Sequence, residues 1–220
     1  MKKVMATVMA AVCVLGMTGC AGGGKFKSIS SKIQKAASND CSAEEASKKQ
    51  KKEMMSSGFE PADSVFNDGC YYTLTSDEAK NSTFGLKCVE EGDIKNAFIF
   101  VKSEDDSYAI TEVYEFSDKD LAGDAFDELY ESLHQDEKSL KNKAKESDIE
   151  YGVGEDSDTA YTLLVISDND YEMATGVYMK LDGKVLTVAA YVGTPKADLY
   201  TEYLDLMFDA KLQDMEALLD

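Results

Sequence analysis

The sequence predicts an α+β fold, an antiparallel sheet of about six strands packed against two amphipathic helices. Three observations carry that expectation. Six short segments rich in aromatic and β-branched residues are separated by polar turns. Two longer segments repeat apolar residues at helical spacing behind recognisable caps. Between two of the strand-like segments, Asp182-Gly183 is a type I′ hairpin signal.

Along the chain, Phe26, Ile29 and Ile33 recur at helical spacing and predict a short helix up to Asn39-Asp40. Ser42 followed by Glu45 matches a capping box, opening a second, polar helix that stops by Gly58. This segment is expected either to be a mobile stalk or to dock on the domain through Phe26, Ile29 and Ile33. The first strand is expected from Cys70 to Thr75 and the next from Ala97 to Val101, an unbroken apolar run that reads as covered on both faces. The acidic turn Glu104-Asp105-Asp106-Ser107 leads into a third, in which Tyr108, Ile110, Tyr114 and Phe116 share one side.

Ser117 is the expected cap of the strongest helix, Leu121 to Leu133, with Gln135 to Ser147 as its tail and surface connection. Ala160 to Ile166, Glu172 to Leu181 and Lys184 to Val192 form a second strand set. Thr194-Pro195 then opens a closing helix with Leu199, Tyr200, Tyr203, Leu204, Met207 and Ala210 on its apolar face. Both halves run strands, cap, helix, so the expectation is two β-β-β-α units.

The N-terminus carries an address. Lys2 and Lys3 precede an apolar stretch from Val4 to Leu15, and Met17-Thr18-Gly19-Cys20 follows. That stretch is shorter than the roughly 20 apolar residues a spanning helix needs. It resembles a bacterial lipoprotein signal peptide, with Met17 where leucine is usual. The resemblance implies cleavage before Cys20, a diacylglyceryl group on its sulfur, and a lipid-anchored protein of the cell membrane facing away from the cytoplasm. The whole chain also looks like small α+β lipoproteins of low-GC Gram-positive bacteria, through its lysine-for-arginine usage and paired strand-helix layout; that likeness transfers no catalytic residues. The expected organisation is signal peptide over 1–19, lipid attachment, flexible tether and basic helical stalk over 20–58, and a single acidic α+β domain over 59–220.

Charge narrows the partners. Cleavage removes Lys2 and Lys3 and no acid, which moves the formal charge from −19 to −21. Such a surface repels nucleic-acid phosphates, so DNA and RNA are excluded. Residues 25–55 run the other way, with eight lysines against Asp40, Glu44, Glu45 and Glu53. Two readings fit: a basic segment held close to an anionic membrane, or a solvated linker. All 23 basic residues are lysines, so the bidentate phosphate clamps that arginine supplies are absent.

With Cys13 in the signal and Cys20 acylated, Cys41, Cys70 and Cys88 remain as thiols. An exported domain permits disulfides; Cys70 with Cys88 is the preferred pair, the alternative being three reduced cysteines packed as small apolar residues.

No catalytic, cofactor-binding or metal-ligating set is predicted. His134, the sole histidine, is expected at a helix tail among acids and lysines. The acidic stretches Glu104-Asp105-Asp106, Glu155-Asp156-Ser157-Asp158 and Asp168-Asn169-Asp170 match no calcium-site spacing and read as solvated turns. Seven strand tyrosines, Tyr71, Tyr72, Tyr108, Tyr114, Tyr161, Tyr178 and Tyr191, are expected mostly in the core with the hydroxyl at its rim, the alternative being an exposed binding strip. The functional expectation is a non-enzymatic cell-surface module for an envelope or protein partner. The alternative is a binder of a small sugar, peptide or cation on a concave sheet face.

Overall fold

An apolar run without alternation has no face to give to water, and the centre of the molecule is built on that constraint. The computed structural model describes residues 23–40, 44–56, 69–80, 83–104, 107–143, 149–168 and 171–194. Its elements in order are α1 (Gly23–Asp40), β1 (Glu44–Glu45), α2 (Lys48–Ser56), β2 (Cys70–Leu74), α3 (Ser76–Ala79), β3 (Ile94–Glu104), β4 (Ser107–Phe116), α4 (Lys119–Lys143), β5 (Ile149–Asp156), β6 (Thr159–Asp168), β7 (Tyr171–Asp182) and β8 (Val185–Gly193). They form one sheet in the order β1-β2-β3-β4-β8-β7-β6-β5. Every pair is antiparallel except the short parallel contact of β1 with β2.

The α+β class and the antiparallel sheet stand as expected, and the strand count is larger. All six expected strands are present, and the added ones are the two edges, β1 and β5. Gly152 and Gly154 interrupt the β5 signal, and an edge strand tolerates such residues because it packs on one side only. The six inner strands divide into two antiparallel triplets, β2-β3-β4 and β6-β7-β8, joined by the antiparallel β4–β8 pair. Strand order reverses about that pair, as two copies related by a two-fold axis would require. The helix expected after Thr194 lies outside the described residues.

Both faces of the central strands are covered. Residues 97–101 are each no more than 2% exposed, and full burial of an aromatic or large aliphatic chain contributes roughly 1.5–3 kcal/mol. On one face Tyr72, Leu74, Ile99, Tyr114, Phe116, Met179, Leu186 and Val188 pack with Ala122, Ala125 and Phe126 of α4. On the other, α1 lies across β2, β3 and β4. Phe26, Ile29 and Ile33 are buried there, and Gln34 hydrogen-bonds the Tyr71 hydroxyl at 3.3 Å.

Docking, one of the two alternatives for the N-terminal segment, is therefore what the structure shows. Lys25 also pairs with Asp182 at the β7–β8 turn, and β1 joins the sheet edge. Helix α1 and strand β1, both before residue 59, thus pack on the same sheet as the elements that follow.

Two caps differ from expectation. The capping box of α2 is Ser47 with Gln50, not Ser42 with Glu45: the Ser47 amide donates to Gln50 at 2.9 Å and the Gln50 amide to Ser47 Oγ at 3.3 Å. Glu45 is occupied in β1 instead. At α4 the capping acceptor is Asp118, which receives the amides of Asp120 and Leu121 at 3.0 and 2.9 Å, while the Ser117 amide donates to the Asp93 carbonyl at 2.7 Å. Helix α4 runs on to Lys143, through the stretch expected as a tail, so His134 sits within it.

Candidate functional site: a half-open shelf on the sheet

Among the described residues, the α4 face of the sheet is not closed along its whole length. Register aligns Tyr108 with Val192 and Thr175, then Ile110 with Ala190 and Val177, then Glu112 with Val188 and Met179. In the first two rows every side chain is half-buried except Val192, which is exposed. In the third, Val188 and Met179 are buried beneath the helix, while Glu112 is half-buried. The result is an apolar shelf across three strands, with one carboxylate where the helix begins to cover the sheet.

Glu112 is the residue that sequence reading missed. Its signal was present: in Tyr108-Ile110-Glu112-Tyr114-Phe116, an acid occupies the middle of an otherwise apolar alternation. Tyr114, next but one along β4, hydrogen-bonds the carboxylate. Tyr72 lies in the same row two strands away. Burial raises the carboxyl above the usual range, partly opposed by the Tyr114 bond. Burial first, then the negative charge of Glu112, hold the Tyr72 and Tyr108 phenols protonated. A donor or cation moving along the shelf would meet this carboxylate, with its apolar part lying on Ile110, Val177 and the Tyr108 ring.

Of the seven strand tyrosines singled out in the sequence, Tyr71, Tyr72, Tyr114, Tyr161, Tyr178 and Tyr191 are buried in the core, and Tyr108 reaches the shelf as a half-exposed ring. Tyr191 serves the C-terminal end of β8, where its hydroxyl donates to the Thr194 carbonyl at 2.8 Å and lies 3.1 Å from Ser107 Oγ. Ser107 Oγ in turn accepts the Thr194 amide at 3.3 Å.

The expected Cys70–Cys88 pair is not formed; both are free thiols. Cys70 belongs to the apolar cluster at the start of β2. Cys88 lies in the loop before β3, where its amide and that of Lys87 donate to Glu128 of α4 at 2.9 and 2.8 Å. Its thiol bonds the same carboxylate. Burial pushes the Cys70 thiol up to about 11, and burial together with Glu128 pushes Cys88 to about 11. Neither thiol is an activated nucleophile at neutral pH.

Each acidic stretch falls at a hairpin. Glu104 pairs with Ser107, Asp156 with Thr159 and Asp168 with Tyr171 where consecutive antiparallel strands meet. Among the described residues, no three His, Cys, Asp or Glu side chains are grouped to hold a metal ion. No described helix is long and apolar enough to cross a membrane. Cys20 and Cys41 lie outside the described residues.

No protein-family model matches the chain, and no curated protein does. Among solved structures, it is similar to the extracellular domain of PknH from Mycobacterium tuberculosis, at 9% identity and a TM-score of 0.33, over 66% of this chain and 79% of that one. A likeness of that size carries no argument about fold or function.

Proposed function

We propose that this chain is an exported lipoprotein, anchored through Cys20, whose α+β domain is a non-enzymatic module that binds an envelope or protein partner on the shelf of Tyr108, Ile110, Val177 and Val192. The observation that carries the reading is the exposed Val192 at the rim of an apolar, three-strand surface that α4 leaves half-open. Tyr108, Ile110 and Val177 continue it as half-buried neighbours, so Val192 belongs to a contiguous apolar area and is not a lone surface side chain. The cysteine chemistry points the same way, since both described thiols are held protonated.

An envelope pull-down with the native domain and with Val192→Lys tests the binding surface. A partner held by the native domain and released by the variant supports the reading, and equal recovery from both overturns it. Mass spectrometry of the native product tests the anchor: a diacylglyceryl group on Cys20 is expected, and an unacylated leader beginning at Met1 refutes it.

Glu112 favours a second reading, a small ligand carrying a hydrogen-bond donor or positive charge beside an apolar body. A thermal-shift panel of small amines, sugars and peptides addresses it. A shift that disappears in Glu112→Ala supports this reading, and no shift with any compound removes it.

A further inference from the structure

We propose that the domain stands directly on the bilayer, with the sheet end bearing the β7–β8 turn and the start of α4 turned toward the lipid, and the shelf turned away from it. The proposal rests on acylation at Cys20. Only Ala21 and Gly22 lie between that cysteine and Gly23, the first residue of α1. Three chain steps reach about 11 Å at full extension.

Helix α1 adds no further reach. Phe26, Ile29 and Ile33 are buried against the sheet, and Lys25 pairs with Asp182, so the beginning of the helix is held at the β7–β8 turn. Its later residue Gln34 bonds Tyr71, near the other end of β2. The helix thus climbs the sheet away from its own start.

The same end gathers the first turn of α4 and the start of β3. Ile94 pairs with Phe116, Glu115 with Val185, and the Phe116 amide donates to the Lys184 carbonyl at 2.9 Å. The outer row of the shelf belongs to the opposite end. Thr175 is seven residues from Asp182 along β7, about 23 Å at the rise of a strand. That separation is twice the tether length, so the anchored end meets the headgroups first.

Charge is mixed at both ends and does not by itself choose the pose. The far end carries Glu104, Asp168 and Lys102, and the near end carries Glu155, Asp156 and Asp158 of the β5–β6 hairpin, whose Asp158 carbonyl accepts the Leu181 amide at 2.7 Å, beside Lys95, Lys119 and Lys184. The short tether carries the orientation.

The test uses the acylated, full-length mature protein on vesicles of anionic and zwitterionic lipid. Lysines are modified with a membrane-impermeant acylating reagent and read by peptide mass. Lys95 and Lys119, both exposed at the near end, are expected to react several-fold more slowly than in the Cys20→Ala protein free in solution, with Lys102 at the far end unchanged. A long Gly/Ser insertion between Gly22 and Gly23 is expected to restore their reactivity, because it lets the domain lift away. Equal slowing of all three lysines, or of none, with Cys20 acylated, overturns the orientation while leaving the anchor intact. Absence of the acyl mass on the Cys20 peptide removes the anchor itself, and the orientation with it.

Discussion

At the scale of single residues, the most consequential side chain is Glu112. A carboxyl raised by burial favours the protonated form in the folded state. Its contribution is complete below the ordinary value of 4.5 and is lost as pH rises through the interval between that value and the folded one. Glu112→Gln removes the ionisation and keeps the hydrogen-bonding shape. The variant is therefore expected to match the native protein in stability at acid pH and to exceed it increasingly as pH rises to 8. Denaturant titrations across that range measure the difference; a gap that stays constant or narrows with pH would show that Glu112 is solvated. Gly193 sets a second residue-scale constraint. A β-carbon there would lie 2.4 Å from Ser107 Oγ and 2.7 Å from Ser107 Cα, so backbone as well as side chain would have to move. Gly193→Ala is expected to cost about 1–3 kcal/mol and to disturb the Tyr191–Ser107–Thr194 network, read by equilibrium unfolding and by faster exchange of the Thr194 amide.

At the scale of elements, α1 is the piece whose behaviour was open in sequence. Its periodicity was legible in Phe26, Ile29 and Ile33, but a stripe of that kind serves equally for a free helix and a docked one. Docking was decided by β2, β3 and β4, whose second face is apolar and needs a cover. Ile33 is fully buried in that contact, so Ile33→Ala is expected to cost about 2–5 kcal/mol and to expose α1 to trypsin at Lys25 and Lys27. Unchanged cleavage and stability would mean that the helix does not hold the sheet. The caps show a related limit of local reading. Ser42-x-x-Glu45 and Ser47-x-x-Gln50 both match the pattern, and the choice between them was made by β1 pairing with β2, a contact more than twenty residues away in sequence.

At the scale of the whole molecule, charge dominates. The formal charge of −19 places a repulsion on the folded state that counterions screen. The melting temperature of the soluble domain is expected to rise with added sodium chloride, and a fall would indicate that attractive pairs such as Lys51–Glu78, at 2.7 Å, outweigh the repulsion. The six inner strands form two antiparallel triplets that meet at the β4–β8 pair. β4 and β8 meet at the centre because each is the last strand of its triplet, and this puts their partly open ends, Tyr108 and Val192, side by side on the shelf.

The amino-acid order by itself settled the α+β class, the six inner strands, the principal helix and the acidic hairpin turns, because each depends on periodicity or turn chemistry within about ten residues. It also supplied the Cys20 motif, a local signal that needs no fold. Only the tertiary structure decided that α1 docks, that β1 and β5 close the sheet edges, that Cys70 and Cys88 stay apart, and that Glu112 ends an open shelf. Those outcomes depend on which distant strands share a row and which face a helix leaves uncovered, and a side-chain pattern along one strand does not encode the depth of what packs above it.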